Sequence, residues 1–324
     1  GGANGIAATC PLPTTFRWQS SGVLVSPKKD QYHNIVAVKD PSIIFFNNRY
    51  HVYATTANTA GNWSMVHTSF DTFANAAAAP QYYMDATPGL SGYHCAPQVF
   101  FFRPHNKWYL IQQSQPPQYS TSDDPSKPGS WSAPKYFYPS GNHLPAGAPS
   151  LPIDYWVICD SANCHLFFSG DNGNVYRAQT SIGSFPSGFG GASTVISGPQ
   201  FDVFEGSATY KIKGENRYLT LVEAIGAGGR YYRSWTSDRL DGQWTPLAAT
   251  ESNPFAGAKN VTYASGVADW TNDVSHGELI RDSNDETLTV DPCNLKLFYQ
   301  GRNPASGGEY SQLPYRLGLL TRIQ

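Results

Sequence analysis

One unit recurs five times along the chain and leaves few folds open. Its first copy is Lys39-Asp40-Pro41-Ser42-Ile43-Ile44-Phe45-Phe46, the turn Asn47-Asn48-Arg49, and then Tyr50-His51-Val52-Tyr53-Ala54-Thr55. Two runs of β-branched and aromatic residues flank a polar turn, the pattern of a β-hairpin. Later copies open at Ala96, Asp154, Glu205 and His276, with 51 to 71 residues between successive openings. That spacing leaves room for two further strands in each unit. It predicts an all-β, five-bladed β-propeller, with the first strand of every blade lining a central channel.

The remaining strands fit this frame. Third strands read at 63–69, 119–123, 175–181 and 231–237. Gly129-Ser130-Trp131-Ser132 and Gly242-Gln243-Trp244-Thr245 read as strands that end two blades. The last unit stops at Thr321-Arg322-Ile323-Gln324 without one, and Phe16-Arg17-Trp18-Gln19 supplies it. The N-terminal strand thus completes the last blade and closes the ring, which removes an exposed edge. Cys10 and Cys293 are the expected disulfide. Cys293 lies just before the second strand of blade five, so this bridge would clamp the same closure. Cys159 and Cys164 flank a hairpin turn, either paired or opposite one another as thiols. Cys95 is left over as a buried thiol.

Five blades use all 324 residues, so one domain is expected over 1–324. Charged residues are only 14%, against 30 Gly and 24 Pro, which suits short strands and turns rather than long surface helices. The net charge of -2 points to neither nucleic acid nor an anionic membrane. There is no apolar run of membrane-spanning length and no signal peptide. The Gly-rich start reads as a mature or trimmed terminus. Five cysteines and the sequons Asn62-Trp63-Ser64 and Asn260-Val261-Thr262 suit a secreted, extracellular protein, expected to be a monomer.

Three of the five opening positions carry carboxylates: Asp40, Asp154 and Glu205. Isolated acidic residues are usually solvated surface groups. Carboxylates that converge on one channel instead desolvate and repel each other, so their pKa values separate into an ionised base and a protonated acid. Inverting hydrolysis of a glycosidic bond needs that division, with the two groups about 6.5–9.5 Å apart. The residues alone leave open whether Asp40 or Asp154 is the base. Glu205, between Phe204 and Gly206, has the apolar setting that suits an acid.

The motifs Lys39-Asp40-Pro41-Ser42, Asp154-Tyr155-Trp156, Phe204-Glu205-Gly206-Ser207 and Ser275-His276-Gly277-Glu278 occur in order at propeller spacing. With them come Cys159-Asp160, Asn163-Cys164, Asp291-Pro292-Cys293-Asn294, and Tyr310 followed by Gln312-Leu313-Pro314-Tyr315-Arg316. In this set the chain resembles glycoside hydrolase family 62, α-L-arabinofuranosidases of the clan that also holds family 43. The resemblance implies a secreted, exo-acting, inverting enzyme that removes α-L-arabinofuranosyl side groups from arabinoxylan and arabinoxylo-oligosaccharides. It implies Asp40 as general base, Glu205 as general acid, and Asp154 as the carboxylate that tunes the acid and holds the sugar. It places Lys39 in the sugar pocket and makes Tyr310 a wall of it. It also implies a structural calcium ion in the channel, held in part by His276, and no organic cofactor.

Trp270 precedes the first strand of blade five, and its indole suits stacking on a xylose ring at the cleft. Gln98 and Glu278, two residues past their opening positions, are expected near the axis. Arg230 and Tyr232, beside a Gly-rich turn, are further candidates. The alternatives are a family 43-like β-xylosidase or arabinanase, and a non-catalytic sugar-binding propeller.

Overall fold

The structure is a computed structural model that describes residues 10–324. The terminal glycines of the sequence lie outside the described residues. The chain folds into five sheets arranged as a propeller, each built on antiparallel pairing of successive blade strands. Blade one is Ile35–Phe46, Arg49–Asn58, Trp63–Phe70 and Gln81–Tyr83. Blade two is Cys95–Phe102, Lys107–Gln113, Pro117–Ser122 and Lys135–Tyr136. Blade three is Ile153–Cys159, Asn163–Ser169, Asn174–Ser181 and Ser193–Ser197. Blade four is Glu205–Ile212, Tyr218–Gly226, Gly229–Ser237 and Thr245–Leu247. Blade five is Ser275–Leu279, Lys296–Gly301 and Arg316–Ile323, completed by Arg17–Ser20 from the N-terminus.

The expected closure is present. Trp18 pairs with Arg322 in an antiparallel ladder. Its fully buried indole donates to the carbonyl of Phe255 at 2.7 Å. The Cys10–Cys293 disulfide ties the segment before Arg17–Ser20 to the loop before Lys296–Gly301 of the same blade. Cys159 and Cys164 are also paired, and Cys95 is a buried free thiol. Two expected outer strands differ. In blade two the fourth strand begins four residues after Trp131, whose buried indole instead donates to the Tyr53 hydroxyl at 3.0 Å. Trp244 sits just ahead of its strand. Both indoles serve packing between blades, which a short polar edge strand does not need.

Local chemistry explains the hairpins. Asn47 and Asn48 both hold positive φ, 50° and 60°, as the tight turn between the first two strands of blade one requires. In each blade the first strand runs away from one end of the channel and the second returns to it. The turns from second to third strand therefore all gather at the end where the first strands begin. Of the two sequons, Asn260 is structurally committed: its amide donates to the carbonyls of Phe16, Pro254 and Phe255 at 3.0 Å. Asn62 is exposed.

Opening the terminal clamp is expected to weaken the fold. The bridge spans 283 residues, so Cys293→Ser releases a large loop and should lower unfolding stability by about 2–5 kcal/mol. Guanidinium titration of the variant checks this, and an unchanged midpoint would contradict the clamp.

Candidate active site

Every first strand carries a bulge at the same place. The ladder skips between Lys39 and Ser42, Cys95 and Gln98, Ile153 and Trp156, Glu205 and Ala208, and Ser275 and Glu278. The residues that open these bulges are Asp40, Ala96, Asp154, Gly206 and His276. Four of the five have positive φ: Asp40 50°, Ala96 52°, Asp154 61° and Gly206 67°. A bulge breaks the two-residue alternation of a strand and re-aims its side chains. That is how the neighbours Lys39 and Asp40 both line the same pocket.

The register corrects one expectation. Glu205 does not occupy the position of Asp40 and Asp154. Gly206 does, and Glu205 aligns with Lys39 one residue earlier. Both positions face the channel mouth, so the three carboxylates still meet.

A bulge leaves one backbone N–H without a ladder partner, and a side chain from the preceding blade takes it. The residue facing the bulge in the second strand is Thr55, Gln113, Ser169, Glu223 or Gln300. Thr55 accepts from Ala96 N–H at 2.8 Å, and Gln113 from Asp154 N–H at 2.9 Å. Glu223 accepts from His276 N–H at 2.5 Å, and Gln300 from Asp40 N–H at 2.7 Å. Only Ser169 does not follow, and its hydroxyl is buried without a partner among the described residues. There Asp154 Oδ2 itself accepts from Gly206 N–H at 2.8 Å. Asp154 on blade three is thereby bonded to the residue next to Glu205 on blade four.

The resulting pocket has a volume of about 200 Å³ and is lined by Lys39, Asp40, Asp154, Glu205, His276 and Tyr310 among others. Trp63, Tyr93 and Asp171 also line it. The sequence reading did not single these out. Asp171 comes from the turn between the second and third strands of blade three, and Trp63 opens the third strand of blade one, at the end to which the repeat itself points. The Lys39 ammonium donates to the Tyr310 hydroxyl at 3.1 Å and lies 4.4 Å from the Trp63 ring centre and 4.3 Å from that of Tyr310. Trp270 is not among the lining residues. Its indole donates to the Ser21 carbonyl at 3.1 Å and its ring packs on Tyr299. Gln98 and Glu278 are buried below the pocket. Gln98 bridges blades two and three through both backbone groups of Val157, and Glu278 is ion-paired with Arg281 at 2.6 Å.

Burial dominates the electrostatics. It raises Glu205 well above the ordinary carboxylate range, with Glu223 and Asp171 adding to the shift and Arg230 opposing it. Burial also raises Asp154, to about 7, partly countered by His276. Burial opposes charge on His276, but Asp40 and Asp154 outweigh it and raise its pKa. Its Nδ1 lies 3.3 Å from Asp40 and 3.8 Å from Asp154. Among the described residues no group of three or more His, Cys, Asp or Glu side chains is arranged to hold a metal. Calcium prefers six to eight oxygen ligands. The protein side chains around His276 do not form such a cage, and no step below depends on one.

Arg230 is the cation behind the acid. It contacts Glu205 at 2.7 Å and also pairs with the fully buried Glu223. Removing it strands a buried charge, so Arg230→Ala should cost about 3–5 kcal/mol of stability, read by urea unfolding. Loss of a neighbouring positive charge also disfavours the Glu205 carboxylate. The alkaline limb of any activity that needs protonated Glu205 should therefore move to higher pH.

Known proteins place this arrangement. The profile of glycosyl hydrolase family 62 matches residues 17–321. The chain is 45% identical over 316 residues to α-L-arabinofuranosidase C of Cellvibrio japonicus, covering 96% of this chain and 48% of that protein. It thus spans about half the length of this curated relative. The catalytic domain of a Coprinopsis cinerea family 62 α-L-arabinofuranosidase superposes with a TM-score of 0.92 at 47% identity, covering 96% of this chain and 98% of that one. A family 62 hydrolase in complex with xylotriose gives 0.89 at 44% identity, covering 95% and 98%. With the profile match running from the closing N-terminal strand to the last strand of blade five, the chain belongs to glycosyl hydrolase family 62.

Proposed function

We propose that this chain is an exo-acting α-L-arabinofuranosidase that removes arabinofuranosyl side groups from arabinoxylan with inversion. One observation carries the reading. Asp40, Asp154 and Glu205, from three different blades, line one pocket of monosaccharide size at the end of the channel. The names of the similar proteins support it: two are α-L-arabinofuranosidases, and a third binds xylotriose. An open cleft of about 790 Å³ adjoins the pocket and shares Trp63 and Tyr93 with it. It has room for a xylan backbone while one side group enters the pocket. The two disulfides favour secretion, because such bonds persist in oxidising compartments.

The chemistry follows from the division of charge. Glu205, held protonated by burial, gives its proton to the xylose oxygen as the bond from that oxygen to arabinose C1 breaks. Asp40 takes a proton from the water that attacks C1 on the opposite face. Asp154, bonded to Gly206 N–H, stays beside the acid and faces the sugar. Lys39 and Tyr310 define the wall.

Glu205→Gln removes the transferable proton and keeps the shape. It should lower arabinose release by at least about 10³-fold, while xylotriose affinity stays within a few-fold of wild type. Proton NMR of arabinoxylan digestion reads the sugar and the anomer first formed. Release of xylose from the backbone, or arabinose first formed as the retained anomer, would contradict the proposal. Activity should fall as pH rises through the elevated Glu205 pKa, so the alkaline limb of kcat/KM should lie above the ordinary carboxylate range of about 4.

A further inference from the structure

A fourth carboxylate lines the pocket without a role so far. Asp171 sits in the turn Gly170-Asp171-Asn172-Gly173 between the second and third strands of blade three. Its φ is 54°, a left-handed conformation rare for a residue with a side chain. Non-glycine residues held in that region concentrate at functional sites. The turn is fixed from outside: Gln200 donates to the Asp171 carbonyl at 3.0 Å, and a Cβ on Gly170 would meet the Pro149 ring at 2.7 Å. The carboxyl is thus delivered to the pocket by a rigid turn.

Its surroundings are unusual for an acid. Asp171 Oδ1 is buried and receives no N–H or hydroxyl from any described residue. It lines the same pocket as Glu205, and its carboxyl interacts with the Glu205 carboxyl. Two ionised carboxylates repel at hydrogen-bond distance, and two carboxyls bond there only when one proton lies between them. Arg230, the cation beside the pair, approaches Glu205 through Oε1 at 2.7 Å and is shared with Glu223.

We propose that Asp171 is a positioning residue for the acid: it holds the transferable proton on Glu205 and aims it before the substrate oxygen arrives. This rests on the assignment of Glu205 as general acid made above. When the leaving oxygen takes the proton, both carboxylates stand ionised beside Arg230, and a proton from water restores the shared one.

The test uses Asp171→Asn, since Asn tolerates left-handed backbone, with Asp171→Gly as a second variant suited to that φ. Removing the carboxyl removes the partner that keeps Glu205 protonated. The alkaline limb of kcat/KM on arabinoxylan should therefore move to lower pH, by about one unit. Release at neutral pH should fall about tenfold. Hydrolysis of 4-nitrophenyl α-L-arabinofuranoside, whose leaving group needs little protonation, should fall less. Xylotriose affinity and melting temperature should hold. An unmoved limb, or equal losses on both substrates, would overturn the proposal. Carbon-13 NMR titration of the Glu205 carboxyl gives the same answer without turnover. If the wild type released no arabinose, the activity reading would fail, and a downward shift of Glu205 in the variant would still establish the shared proton.

Discussion

Five backbone N–H groups, turned out of their ladders by five bulges, hold the centre of this molecule together. A buried donor without a partner is costly, so each must be met. Four are met by a side chain from the neighbouring blade, which fixes the angle between blades as well as the bulge. The fifth is met by Asp154 itself. A constraint of folding thereby becomes a constraint of chemistry: the carboxylate beside the acid is placed by the same demand that sets Gln113 and Gln300. Ser169, at the one position where the pattern lapses, leaves Gly206 N–H to Asp154.

The acidic pocket is tolerable because its charges are arranged in layers. Lys39 and His276 face the carboxylates from inside, and Arg230 faces Glu205 and Glu223 from behind. Glu223 spends one oxygen on Ser275 and His276 N–H and the other on Arg230. Such buried pairs contribute little net stability but are destructive to break. Their value lies in keeping the pocket charges in fixed places. Lower in the channel, Arg281 donates to the carbonyls of Ile43 and Val99 and to Glu278, so the axis is closed beneath the pocket.

Much of this was legible in the residues. The repeat of β-branched runs and polar turns announced five blades, because side-chain alternation and turn chemistry are local properties. The missing outer strand of the last blade pointed to Phe16-Arg17-Trp18-Gln19 as its completion, observed as Arg17–Ser20, and Cys10 with Cys293 agreed. Lys39, Asp40, Asp154, Glu205, His276 and Tyr310 all line one pocket. Trp270 had the right chemistry for a sugar platform but packs on Tyr299, and Trp63 stands at the pocket instead. An aromatic residue reads the same in either place, since its neighbours come from other blades.

The sequence alone determined the fold class, the closure of the ring and the polar groups Asp40, Asp154, Glu205 and His276 near the starts of four first strands, because those depend on patterns within a few residues. Tertiary structure decided that Gly206 rather than Glu205 fills the bulge, that Asp154 takes its N–H, and that Asp171 and Arg230 flank the acid. Each of those contacts joins residues on different strands or blades. Register and the pairing of buried polar groups are settled only when the whole ring is packed, since only then is water excluded and every donor forced to find a partner.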